Sequence, residues 1–305
     1  ICALLSGGLD SSLVCSIANN ILKSNNFKLN TFSIGMENSP DNHYAKLVSE
    51  YIDSNHTFVN ITKNDAINSI RDVIYTIESY DITTVRASVG QFLVSKFISE
   101  ETNIKVVMSG DGSDELCSGY IYNYNAPSLE DLHKEAELRL KEIHLYDGLR
   151  ADRATSYHGL ELRVPFLDYE FVDMYMKINE KLRIPLEDRM EKYLLRKAFE
   201  NENLLPNDVL WRKKEAFSDG VSSVEESWHT TIKKYISTKI SDEEFNENKD
   251  KFEHCKPETK EAYYYRKIFC EKFGDHNSGV ISKFWLPNWS DGLKEPSARE
   301  LNVYK

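Results

Sequence analysis

At 305 residues, 41% hydrophobic and 29% charged, the chain has the composition of a globular protein with one extended core or two smaller ones. Its net charge of −11 argues against a nucleic-acid platform, which carries a basic patch or a high pI. No apolar run approaches the roughly 18 residues that span a bilayer, so nucleic acid and membrane are both excluded as expected partners.

Residues 1–5 (ICALL) form an apolar run without a signal-peptide pattern, and they read as a buried strand from inside a longer polypeptide. The glycine-rich string SGGLDSS follows at residues 6–12. A helix is then expected with Leu13, Val14, Ile17, Ala18, Ile21 and Leu22 on one face. Residues 29–34 are the next strand. Ser39 and Pro40 mark the start of a second helix, with Tyr44, Leu47, Val48, Tyr51 and Ile52 as its stripe.

Residues 56–61 read as a third strand, and Ile67, Ile70, Ile74 and Ile77 as a third helix. A loop is expected over residues 81–88, then a helix through Phe92, Lys96 and Phe97. Residues 104–108 form a buried strand that ends in SGDGSDE, residues 109–115. Strand and helix in alternation predict an α/β fold with a doubly wound parallel sheet over residues 1–126. Ligands of such sheets bind at the carboxyl ends of strands, so the two glycine-rich loops should share one rim.

From residue 127 to 305 the pattern becomes mainly helical. Ser128 with Asp131 suggests a capping box, and Leu129, Leu132, Ala136, Leu140 and Ile143 continue a helical stripe. Residues 242–251 read as an acidic surface segment. The last fifty residues are rich in aromatics, which implies a packed end. The five cysteines (Cys2, Cys15, Cys117, Cys255, Cys270) form no C-x-x-C pair and no zinc spacing. Reduced thiols in a cytoplasmic protein are expected, with Cys2 and Cys15 filling core space.

A strand, a Ser-Gly-Gly turn and a helix start make an anion site, because glycine admits close backbone approach and the helix end carries partial positive charge. Ser6, Ser11 and Ser12 add hydroxyl donors. The P-loop lysine of G-x-x-x-x-G-K-[ST] is missing, and Asp10 stands where phosphate would repel it. A cation between them, Mg²⁺, resolves the conflict. A bare Ser-Gly-Gly would be an ordinary turn; the seven-residue string between strand and helix is far more specific.

That string resembles the pyrophosphate loop of the ATP pyrophosphatases, which cleave ATP between the α and β phosphates. The strings SIGMENSPD (33–41), YDITTVRAS (80–88), SGDGSDEL (109–116), LRADR (149–153), HGLELRVPFLD (158–168), WRKKEAFSDG (211–220) and PSARELNVYK (296–305) resemble the asparagine synthetases within that group. The resemblance spans essentially the whole chain. It implies a ligase that converts aspartate to asparagine through β-aspartyl-AMP, releasing pyrophosphate and AMP, with ATP and Mg²⁺ required.

The resemblance also assigns residues. Leu4, Ile34, Ser109 and Gly110 would hold adenosine, and Ser6, Gly7, Gly8, Asp10, Ser11 and Ser12 would surround the phosphates. Asp10 and Asp114 would ligate the metal. Lys214 would stabilise departing pyrophosphate, and Thr83, Thr84 and Arg86 the adenylation transition state. Asp147 and Arg150 match aspartate-binding positions, although a spacing of three on a helix also suits a surface ion pair. Arg163, Asp168 and Asp219 are read as structural, Lys213 as solvent-facing, and Trp211, Tyr120 and Tyr124 as packing residues.

The family's second loop carries glutamate where this chain has Asp111, read here as a catalytic group that is one methylene shorter. Ammonia is expected from glutamine, hydrolysed in an amino-terminal glutaminase domain upstream of residue 1, and a homodimer is left open. Two rivals remain at this level: a β-lactam synthetase, which uses no ammonia, and a non-catalytic paralogue, for which Asp111 is the only supporting feature.

Overall fold

The computed structural model describes residues 1–37, 39–185, 189–213 and 227–290. At its centre the amino-terminal apolar run pairs on both sides. In β1 (Cys2–Leu4), Cys2, Ala3 and Leu4 align with Asn30, Thr31 and Phe32 of β2 (Asn30–Gly35). Cys2 and Ala3 also align with Val107 and Met108 of β4 (Val106–Met108). With β3 (Asn55–Asn60) outside β2, and β5 (Glu161–Arg163) outside β4, the order is β3-β2-β1-β4-β5, all parallel. A parallel sheet needs cover on both faces, which is why β1 is apolar without alternation.

That cover divides the core in two. On one face Phe32, Ile34, Val59 and Val107 pack with α3 (Lys63–Ile77) and α4 (Ile82–Glu101). Two later helices, α12 (Trp228–Ser237) and α14 (Lys260–Phe273), complete this cluster through Ile232, Ile236, Tyr265 and Phe269. On the other face Ala3 and Leu5 pack with α1 (Leu9–Lys23) and α2 (Pro40–Ile52). Leu195 of α10 (Tyr193–Ala198) and Val209 of α11 (Asn207–Leu210) close that side. Between β4 and α10 lie α5 (Ser113–Leu116), α6 (Leu129–Glu142), α7 (Asp147–Ser156), α8 (Tyr169–Met176) and α9 (Glu180–Arg183).

Local chemistry sets several of these boundaries. Pro40 sits in the first turn of α2 and Ser39 at its N-cap. The Ser128 hydroxyl accepts from the Asp131 amide at 3.1 Å to start α6. Residues 242–251 are helix α13 (Asp242–Asn248) followed by a single 3₁₀ turn, with none of its residues buried.

Two elements differ from the sequence reading. Residues 82–88 are the first turns of α4, not a loop, because the Asp81 carboxylate caps the helix through the Thr84 amide at 2.9 Å. Ile82, Thr84, Val85, Arg86 and Ser88 are buried, and packing overrides the weak helix propensity of the β-branched residues among them. The sheet also takes β5 from HGLELRVP. Three residues are too short for a period to show, and Glu161 and Arg163 are exposed on this edge.

No helix among the described residues is long and apolar enough to cross a membrane. All five cysteines are free thiols. Burial pushes Cys2 up to about 12 and raises Cys15 as well, which makes both inert. Ile74, with no exposed surface, sits in the larger cluster. Ile74→Ala should lower unfolding free energy by about 2–5 kcal/mol in urea titrations; a loss below about 1 kcal/mol would contradict tight packing between α3 and the sheet.

Candidate functional site

The strand order reverses between β1 and β4, and both glycine-rich loops leave the sheet at their carboxyl ends. They face each other across a cleft of about 310 Å³ that also takes walls from α4, α7 and residues 285–287. Gly110 is glycine for a steric reason: a Cβ there would lie 2.7 Å from the Ser11 amide and 2.9 Å from the Asp10 carbonyl carbon. The two loops therefore pack backbone to backbone.

In the first loop the Ser11 hydroxyl accepts from the Ser6 amide at 3.1 Å and lies 2.9 Å from the Ser6 hydroxyl. Ser6 Oγ in turn accepts from the Gly8 amide at 3.3 Å. Gly8 offers no capping side chain, so the start of α1 keeps its anion-attracting character. Gly7 has φ +74° and backs onto α2, where a Cβ would collide with Tyr44 and Ala45. Leu4, Ser6, Gly8, Asp10, Ser11, Ile34, Ser109 and Gly110 line the cleft; Gly7 and Ser12 do not. Ser12 is fully buried, and its hydroxyl has no hydrogen-bond partner among the described residues.

Asp10 and Asp114 approach one point from opposite loops, and a lysine occupies it. Lys192 Nζ lies 2.5 Å from Asp10 Oδ2 and 2.6 Å from Asp114 Oδ1. Lys192 is 1% exposed and precedes α10 in a left-handed conformation, φ 58°. Burial works to lower its pKa, but the two carboxylates outweigh that and hold the ammonium charged. Asp10 also accepts from the Ser113 hydroxyl at 2.8 Å.

A second cluster lies further along the cleft. Arg150 on α7 donates to Asp147 (2.9 Å), to Gln91 Oε1 (2.8 Å) and to Asp111 Oδ1 (3.0 Å). Its side chain is only 12% exposed. Asp147 and Arg150 thus form an interior pair, and the surface reading of their spacing is set aside. Asp111 is further held by the Ser109 hydroxyl at 2.5 Å. Tyr120 donates to Glu115 at 2.6 Å and, more weakly, to Asp147 at 3.3 Å. Burial, with Asp147 and Asp114 nearby, pushes the Glu115 carboxyl well up, favouring its neutral form.

On α4, Thr83 and Arg86 line the cleft. The Thr83 hydroxyl is buried with no partner among the described residues, leaving it available to a ligand. Thr84 faces away, its hydroxyl donating to Asp81 at 2.7 Å. Arg86 is 6% exposed and directs Nε and Nη2 onto Glu261 of α14, at 2.7 and 2.6 Å. Lys213 is exposed at the mouth of the cleft, and Lys214 and Asp219 lie outside the described residues.

Of the residues read as structural, Asp168 caps α8 by accepting from Glu170 and Phe171 amides at 3.0 and 3.3 Å, and Arg163 pairs with Glu161 on the sheet edge. Trp211 packs near Tyr193, and Tyr124 donates to the Arg189 carbonyl. Tyr120 departs from its expected packing role, since its hydroxyl orders the acids of the second cluster. Sequence reasoning passed over Lys192, Gln91 and Glu115. Only Glu115 lay inside a recognised string; Lys192 and Gln91 carry no local pattern that marks them.

Comparison with known proteins shows the family. A family model described as asparagine synthase matches residues 1–132 and 122–293. Proteins named glutamine-hydrolysing asparagine synthetase align over 304 residues, 99% of this chain: that of Gallus gallus at 49% identity, Rattus norvegicus at 48% and Homo sapiens at 47%. In each case the chain covers 54% of the relative, so it spans about half the length of the proteins it matches. With the family model matching nearly its full length, the chain belongs to the asparagine synthase family.

Proposed function

We propose that this chain performs the synthetase half of asparagine formation, an ATP-dependent ligation of ammonia to the side-chain carboxyl of L-aspartate. The observation that carries the reading is the cleft's two-ended charge pattern. One end has a helix start, serine hydroxyls and a lysine shared by two acids, which suits a polyphosphate. The other pairs Arg150 with Asp147, a cation and an anion that suit the α-carboxylate and ammonium of an amino acid.

In this reading ATP lies across the two loops, with adenosine against Leu4, Ile34, Ser109 and Gly110 and phosphates over Ser6, Gly8, Asp10 and Ser11. Gly7 shapes the turn, and Ser12 supports it from below. Aspartate's β-carboxylate attacks the α-phosphorus, the bond to the β-phosphate breaks, and pyrophosphate leaves with the charge. Lys192 faces that charge, and the resemblance gives Lys214 the same task. Thr83 has a hydroxyl to donate to the acyl phosphate, Arg86 is held at the cleft wall by its pair with Glu261, and Thr84 fixes the turn that carries both. Ammonia then attacks the acyl carbon of β-aspartyl-AMP, AMP departs, and Asp111 takes the proton that the new amide sheds.

Asp10 and Asp114 carry the hard carboxylate oxygens that a divalent cation takes, and it would share them with the Lys192 ammonium. Among the described residues no group of three or more metal-binding side chains occurs, so phosphate oxygens would complete the shell. When bound, Mg²⁺ there neutralises phosphate charge. Nitrogen comes from glutamine, hydrolysed by an additional amino-terminal glutaminase domain, and free thiols suit a cytoplasmic setting.

Incubation with ATP, Mg²⁺ and aspartate should release pyrophosphate, and added ammonium should yield equal AMP and asparagine. Absence of aspartate-dependent pyrophosphate release would overturn the reading and leave the non-catalytic paralogue. Asp10→Ala and Lys214→Ala should abolish release, whereas Lys213→Ala should retain most of it. Lys192→Met should lower kcat on the order of 10²–10³-fold, the scale of losing one preorganised charge from a transition state. A Lys192 variant with wild-type turnover would assign that lysine to stability alone.

A further inference from the structure

Asp81 belongs to neither cluster, yet it is fully buried, and its two oxygens serve two distant parts of the chain. Oδ2 accepts from the Thr84 amide at 2.9 Å and the Thr84 hydroxyl at 2.7 Å, fixing the first turn of α4. Oδ1 accepts from the Trp285 amide at 2.7 Å, 204 positions away. Residues 281–290 form a strap over this side of the molecule. Tyr146 donates to the Lys283 carbonyl (2.8 Å), Arg139 to the Leu286 carbonyl (2.9 Å), and Asn288 to Glu135 (2.5 Å).

The strap bears on the cleft through one side chain. The Trp285 ring lines the cleft and lies 5.4 Å from the Tyr120 ring, whose hydroxyl holds Glu115 and Asp147. Arg139 stacks over the same indole, 4.8 Å from its centroid. A shift of Trp285 therefore moves Tyr120, and with it the acid that pairs with Arg150.

We propose that Asp81 is a positioning residue that locks the Trp285 strap to the start of α4 and so sets the aspartate-binding end of the cleft. This rests on the functional reading above only for the identity of the amino acid. The choice of a carboxylate follows from its symmetry. Donors approach both oxygens, and an ionised carboxylate, which only accepts, meets all three without turning a proton toward any of them. Burial opposes that ionisation, pushing Asp81 up to about 6 despite its three donors, and no ion pair to it occurs among the described residues. An asparagine would avoid the buried charge but would present an N–H₂ group to one of the two donor sets.

Asp81→Asn tests the lock. Its one carbonyl can keep the two bonds that cap α4, so the amide N–H₂ then faces the Trp285 N–H and repels the strap. The measurement uses the intact natural polypeptide with ammonium as nitrogen source. The expected result is a rise of fivefold or more in KM for aspartate, with KM for ATP within twofold and the melting temperature little changed. Trp285→Ala should raise KM for aspartate similarly, and Asp81→Asn in that background should add less than twofold. Additive effects, or equal loss of aspartate and ATP binding, would overturn the proposal.

Limited trypsin digestion supplies a readout independent of the reaction. Lys283 is about half exposed, and cleavage after it should accelerate several-fold in Asp81→Asn. Faster cleavage with no aspartate-dependent turnover even in the wild type would sink the functional reading while sustaining the lock. Unchanged cleavage would sink the lock.

Discussion

The site depends on one electrostatic arrangement: a buried ammonium between two carboxylates that arrive from different strands. Asp10 follows β1 and Asp114 follows β4, and without a cation between them their loops would repel at the point where the backbones pack most closely. Lys192 relieves that conflict from a third part of the chain. Removing one partner of such a buried group costs about 3–5 kcal/mol, because the remaining charges stay desolvated. The lysine therefore holds the two loops in register.

This explains how far the residues alone could lead. SGGLDSS announces an anion loop because each of its features is local: glycines at the turn, hydroxyls on one side and a helix start behind. Asp10 there calls for a cation, which the sequence alone takes to be Mg²⁺. What supplies that cation in the free protein is invisible along the chain, since Lys192 is 182 positions away and sits among residues with no motif of their own. The same holds for Gln91, which meets Arg150 only because α4 and α7 pack side by side.

The fold shows a similar division. The helices α1 to α3 repeat over lengths that a period can reveal, and β1 shows as an unbroken apolar run directly before the glycine-rich loop. Residues 82–88 were expected as a loop, whereas most of this turn of α4 is buried and Asp81 caps it through the Thr84 amide, a contact whose weight no period shows. β5 escaped because an edge strand of three residues has no pattern to read. Tyr120 shows the same limit at the level of one side chain: its ring packs as an aromatic should, and only its hydroxyl enters the site.

The helical part is thus more than a cover for the sheet. Arg86 of α4 is gripped by Glu261 of α14 in a bidentate pair with both side chains almost entirely buried. Asp81, one turn earlier, is bound to the Trp285 amide. Each contact joins the same helix start to a segment about 200 residues later, and neither partner could be supplied by the sheet or its loops. A bidentate, desolvated pair is stiff in direction as well as distance, so α4 enters the cleft at an angle set by residues 261 and 285. The parallel sheet alone would make a nucleotide rim. The acids and bases at its far end are ordered because the chain returns to bind α4 from behind.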